Sequence, residues 1–137
     1  MKNTYITNLN LQVTDYGLLF LRVAIAALML GHGIPKLLML FGSQEISFAD
    51  PIGIGETATL TIAVFAEVIC SILIAVGLAT RVAALVLLFT MAIAFFVVHA
   101  SDPFQIKELA LVYLVVYAFI SIVGSGKYAL DHYFLKK

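Results

Sequence analysis

Arg22, His32 and Lys36 interrupt an otherwise apolar run, residues 17–41, of membrane-spanning length. Ionisable groups are expensive in hydrocarbon, so each marks a candidate site whose partner has to be found elsewhere in the chain. Three later apolar segments offer Glu67, His99 and Glu108. An ammonium and two imidazoles can donate hydrogen bonds to a polar head group, while carboxylates and imidazoles can accept and relay protons. Proton transfer or head-group binding at depth in a bilayer is the chemistry these types could perform. At 100° per residue, Arg22, His32 and Lys36 fall within an arc of about 80° on one helix face. Lipid would not tolerate that stripe, so it is expected to face other helices. Gly31 and Gly33 flank His32 and would let a neighbouring helix or ligand approach the backbone closely. Pro35 frees a carbonyl one turn back, near Gly31.

Depth sorts these groups. Counted from the inner end, His32 lies ~22 Å along the first helix, Lys36 ~28 Å, and His99 ~25 Å along the third. Glu108 opens the fourth helix at the same outer level. His32, Lys36, His99 and Glu108 are therefore the expected catalytic cluster, with Glu67 beneath them. Arg22 lies in the inner half and is expected to pair with Glu67, fixing helix register. Plainer readings stand beside these: Lys36 snorkelling to the interface, an interfacial His99 beside Asp102, Glu108 answering a helix dipole, and Cys70 as core packing.

The elements that must position them follow from composition. Of 137 residues, 63% are hydrophobic and 12% charged, so the chain lacks the polar surface of a water-soluble domain. Mean hydropathy is strongly positive. Four apolar stretches, residues 17–41, 57–78, 82–100 and 106–123, can each cross a hydrocarbon core of ~30 Å. Short connections at 77–81 and 101–105 make successive helices neighbours, so the expected fold is an all-α, up-down-up-down four-helix transmembrane bundle. Residues 1–16 read as a polar N-terminal segment, 17–131 as the membrane domain and 132–137 as a short cytoplasmic tail. No ten-residue alternation supports a β-barrel. Residues 1–15 lack the apolar core of a secretory signal. The Lys/Arg bias places both termini and the 77–81 turn in the cytoplasm of a multi-pass protein. Zero net charge and the lack of a basic run exclude nucleic acid as a partner. A single cysteine, Cys70, excludes an internal disulfide.

At these positions the chain resembles the DoxX family of small bacterial membrane proteins. The resemblance is carried by Leu21-Arg22, His32-Gly33-x-x-Lys36, Ala66-Glu67 and Gly77-Leu78-x-Thr80-Arg81-x-Ala83-Ala84. It continues through His99, Glu108-Leu109-Ala110-Leu111 with Tyr113, and Gly124-x-Gly126-x-Tyr128-x-Leu130-Asp131. Cys70-Ser71 stands where the family usually has glycines. The resemblance implies a four-helix protein of the bacterial inner membrane, described as an oxidoreductase or quinone-linked subunit, with relatives tied to thiosulfate oxidation and membrane redox stress.

Two functions compete on this reading. In the first, the chain is a quinone- or lipid-binding subunit of a membrane redox system: His32 and Lys36 donate to the head group, Glu67, His99 and Glu108 relay protons, and Phe95 and Phe96 line the tail channel. No haem, flavin or iron–sulfur motif is present, so a membrane quinone is the expected cofactor and electrons come from a soluble redox partner or a substrate. In the second, the chain is a non-enzymatic scaffold for such a partner and the polar cluster is structural. A metal site is not expected, since no Glu-x-x-His pair occurs and Lys36 would repel a cation. Small-residue faces at Ala24, Ala27, Ala83 and Ala84 would permit a homodimer.

Overall fold

The computed structural model describes residues 10–136, which contain helices and no strand. Four helices are long and apolar enough to cross a membrane: α1 (Leu11–Phe41), α2 (Glu56–Val76), α3 (Thr80–Val98) and α4 (Phe104–Val123). A short helix, α5 (Leu130–Leu135), follows. α1 begins six residues before its apolar run because Asn10 caps it. The Asn10 side chain accepts from the Gln12 N–H at 3.1 Å, and the Thr14 hydroxyl donates to the Asn10 carbonyl at 3.2 Å. The expected polar segment is thus helical from Leu11, while residues 1–9, most of the stretch read as lacking a signal, lie outside the described residues. So does Lys137 of the expected tail, whose first residues belong to α5.

Packing is built on small residues and aromatic rings. Ala83, Ala84, Leu87 and Met91 of α3 meet Tyr113, Tyr117 and Ile120 of α4, together with Ile25 and Met29 of α1 and Ala66, Cys70 and Ile74 of α2. Without a hydrophobic drive between helices in lipid, such close van der Waals contact is what holds a bundle together. Ala83 and Ala84 are therefore buried within the chain, which corrects their reading as a free face for a second copy. Cys70 is buried in this core, as its packing role requires. Between α1 and α2, Gly33 lies against Glu67 and Val68, and Arg22 lies against Gly77, so these two helices run in opposite directions.

Helix ends are secured over long sequence distances. α2 stops at Gly77, whose φ of 76° is left-handed; the N–H groups of Gly77 and Leu78 both donate to the Leu73 carbonyl. α3 starts after Ala79, which has no capping side chain. The cap comes from Asp131 instead, whose two carboxylate oxygens accept from the N–H groups of Ala79 (2.7 Å) and Thr80 (2.9 Å). The Asp131 N–H donates in return to the Gly77 carbonyl at 2.8 Å. Burial pushes the Asp131 carboxyl upward, but the Thr80 and Ala79 donors and the Arg22 charge outweigh it and hold it below the ordinary value.

Candidate functional site

α2 and α3 are not uniform: Phe65–Cys70 and Ala94–Val98 are wound as π-helix. Such turns are frequent at functional sites because they re-aim side chains. Here one carries Glu67 and the other ends at His99. Gly33 of α1 faces the first of these turns. A Cβ on Gly33 would stand 2.9 Å from Val68 Cγ2 and 3.0 Å from the Glu67 backbone carbon, so only glycine lets the two helices meet there.

That contact decides the pairing of charges. Lys36 follows Gly33 by about one turn and its Nζ donates to Glu67 Oε1 at 2.5 Å. The Lys36 side chain is 28% exposed and that of Glu67 only 4%. The remaining carboxylate oxygen, Oε2, is buried with no hydrogen-bond partner among the described residues. The expected Arg22–Glu67 pair does not form. Arg22 sits eleven residues before Gly33, roughly 16 Å along α1, too far for its side chain to bridge. Its Nη2 donates instead to the Tyr128 carbonyl at 2.5 Å, and the whole residue is buried.

Two cavities share this ion pair. The larger, about 320 Å³, lies beneath the connection between α1 and α2 and is lined by Lys36, Glu67 and His99 with Phe48, Thr59 and Ile93 among its walls. The smaller, about 160 Å³, brings His32, Lys36, Glu67 and His99 together with Met29 and Tyr113. Four of the expected site residues thus meet. His32 is exposed, and its ring meets Tyr113 edge-on with centroids 5.8 Å apart. His99 Nδ1 lies 2.6 Å from Asp102 Oδ2. A carboxylate can only accept, so Nδ1 is the donor in this contact, and Nε2 is the ring nitrogen left without that partner. His99 thus both contacts Asp102 and lines the two cavities.

Three expected residues are placed elsewhere. Glu108 is exposed and lines neither cavity. Tyr113 occupies the inward face of α4, and five residues at 100° each turn Glu108 about 140° away from it. Phe95 and Phe96 also fall outside the two linings, because Ala94 and Val98 hold the inward positions of α3. Phe95 lies beneath Lys107, 5.1 Å from its ring centroid, and Phe96 is 66% exposed. The aromatic wall comes from the connection instead: Phe48 packs beside the cluster of Leu60, Val64 and Val68, with its ring centroid 5.6 Å from Lys36 Nζ.

Asp50 holds this connection in place. Its carboxylate accepts from the N–H groups of Ile54 (3.0 Å) and Gly55 (2.8 Å) and from the Thr59 hydroxyl (2.8 Å). The Gly55 and Thr59 donors hold its carboxyl below the ordinary range. Asp50, Phe48 and Tyr113 were missing from the expected cluster. Tyr113 had a signal, its place in the motif that begins at Glu108. Asp50-Pro51 reads only as a turn, and Phe48 as one loop aromatic among several.

The sequence model of the DoxX family matches residues 17–100, more than half of the chain. The chain belongs to the DoxX family. The match takes in His32, Lys36, Glu67 and His99, while Glu108 and Asp131 lie beyond it. The chain is also similar to a protein of Haemophilus influenzae described as uncharacterized, 36% identical over 129 residues, which cover 89% of this chain and 93% of that protein. No solved structure matches. Family and helices together make this a multi-pass membrane protein.

Proposed function

We propose that this DoxX-family protein binds the head group of a membrane quinone between α1, α2 and α3, as a subunit of a redox system of the bacterial inner membrane. The observation that carries the reading is the Lys36–Glu67 pair, shared by two cavities, with Glu67 Oε2 buried and unpartnered. A buried acceptor without a donor is costly, and a hydroxyl brought by a ligand would satisfy it. The larger cavity is at the lower end of the size range of small-molecule sites and is mostly apolar, with few convergent polar groups. Lys36 Nζ supplies a donor for a carbonyl oxygen, Glu67 Oε2 accepts from a hydroxyl, and His99, oriented by Asp102, exchanges the proton. His32 and Tyr113 close the other flank. When bound, the quinone supplies two-electron, two-proton redox chemistry, and the electrons come from a soluble redox partner.

Sidedness follows from charge. Arg81, Lys127 and Lys136 lie at the end of the bundle where α1 begins and α4 finishes, since the Lys127 N–H donates to Asp15 and Tyr16 stacks on Tyr128. The positive-inside rule puts that end in the cytoplasm and the quinone site towards the opposite face. The test is a lipid extract and a thermal melt of the purified protein. Co-purifying quinone, and a Tm raised by added quinone, are expected; saturation at 100-fold above Kd would stabilise by about 2.7 kcal/mol. Absence of quinone from the extract together with an unmoved Tm would sink the proposal.

A further inference from the structure

A second cleft, about 610 Å³, lies at the other end of the bundle between the start of α3, the end of α4 and α5. Arg81, His132 and Lys136 line it, and none of the three forms an ion pair or side-chain hydrogen bond among the described residues. Arg81 and Lys136 bring two positive charges to the cleft against the single carboxylate of Asp131, which leaves the lining net positive among the described residues, and an anion between them would lower their mutual repulsion. The one carboxylate on the wall, Asp131, has both oxygens engaged by the Ala79 and Thr80 N–H groups. The Arg81 guanidinium lies over Gly124, where a Cβ would come within 3.1 Å of Nε. Gly124 has a φ of 89°, open to glycine, so the backbone here leaves the guanidinium a place that any side chain would fill.

The rim of the cleft is apolar. Val82 and Leu135 line it and are 64% and 80% exposed. Cations inside and hydrocarbon at the edge fit a group that joins a phosphate to acyl chains. The geometry points to a phosphate-ester site at Arg81, His132 and Lys136, filled by the head group of an anionic phospholipid of the adjoining leaflet or by a free phosphoester of the same chemistry. This site is independent of the quinone reading, at the opposite end of the bundle from the Lys36–Glu67 pair.

Native mass spectrometry of the full chain, released from nanodiscs of mixed phosphatidylglycerol and phosphatidylcholine, tests it. Phosphatidylglycerol should be retained in preference, and its retention should fall about fivefold in Arg81→Gln and again in Lys136→Gln. Arg81→Lys should keep most of it, and Lys127→Gln, an exposed cation at the same end but outside the cleft, should keep all of it. Each variant is compared at equal thermal stability. Millimolar glycerol 3-phosphate distinguishes the two sources: displacement of the lipid marks the free ester as a competent ligand, and retention of the lipid marks the phospholipid. No preference in the wild type, or an equal loss in Lys127→Gln, would show only a diffuse positive surface and overturn the assignment.

Discussion

Removing Lys36 should cost the bundle far more than removing its partner. The pair is asymmetric: the Glu67 side chain is 4% exposed and the Lys36 side chain 28%. Lys36→Met strands a buried carboxylate that already has one oxygen without a donor, a loss of about 3–5 kcal/mol. Glu67→Gln leaves a half-buried ammonium on a flexible stem, which can turn out along the Phe48 side and still donate to the amide oxygen. Its cost should be nearer 1–2 kcal/mol, the difference between a charge-assisted hydrogen bond and an ordinary one. Replacing both with apolar residues, Lys36→Met with Glu67→Leu, removes the unpaired charge altogether. That double variant should lie within about 1–2 kcal/mol of the wild type, since apolar substitutes for a buried pair are often neutral. Unfolding in mixed dodecylmaltoside–SDS micelles, followed by circular dichroism, reads all three. The second substitution should therefore restore about 1–4 kcal/mol of the stability that Lys36→Met alone loses. A double variant no more stable than Lys36→Met, or a Glu67→Gln variant weaker than Lys36→Met, would refute the pairing and the burial argument behind it.

Other consequences can be measured on the same preparation. Gly33→Ala places a methyl 3.0 Å from the Glu67 backbone and should cost about 1–3 kcal/mol in the same unfolding assay, with quinone-dependent stabilisation reduced as well. Gly77→Ala meets the Arg22 guanidinium and Ala129 at a left-handed backbone position, and should lose roughly 3 kcal/mol or fail to accumulate. Asp131 is held below its ordinary value in the fold, so its contribution is present above the unfolded value of about 3.9 and is lost as pH falls through the lower folded value. Hydrogen exchange at Ala79 and Thr80, corrected for intrinsic rate, should stay protected at pH 5 and open only below about pH 4. Asp131→Ala should open them at every pH. Asp102→Ala frees the His99 ring, and should weaken quinone-dependent stabilisation while leaving the unliganded Tm within a degree or two.

Much of the architecture is legible because hydrocarbon imposes a length and a composition on every span. The four apolar runs locate α1 to α4 to within a few residues at most ends, and Gly77 and Asp102-Pro103 are visible stops. The start of α1 escapes because Asn10 caps a polar first turn that continues into the apolar run. Depth counting brings His32, Lys36, Glu67 and His99 to one level, and the four line one cavity. It misassigns their partners, since a rise of 1.5 Å per residue gives level and not azimuth. Lys36 rather than Arg22 reaches Glu67 because Gly33 sets the closest approach of α1 and α2. Glu108 shares the level but not the face, and the π-turns at Phe65–Cys70 and Ala94–Val98 break the 100° periodicity from which faces are read. The Asp131 cap spans more than fifty residues of sequence, and no local pattern around Ala79 announces it.

The central claim is that a quinone head group sits against Lys36 and Glu67. Photolabelling of the full chain with an azido-quinone in liposomes, followed by peptide mapping, addresses it directly. Labels are expected on the cavity walls, at Phe48, Thr59, Ile93 and His99, and should be displaced by unlabelled quinone. Labelling confined to the outward-facing Phe96 and Val97, or labelling that excess quinone does not displace, would contradict it.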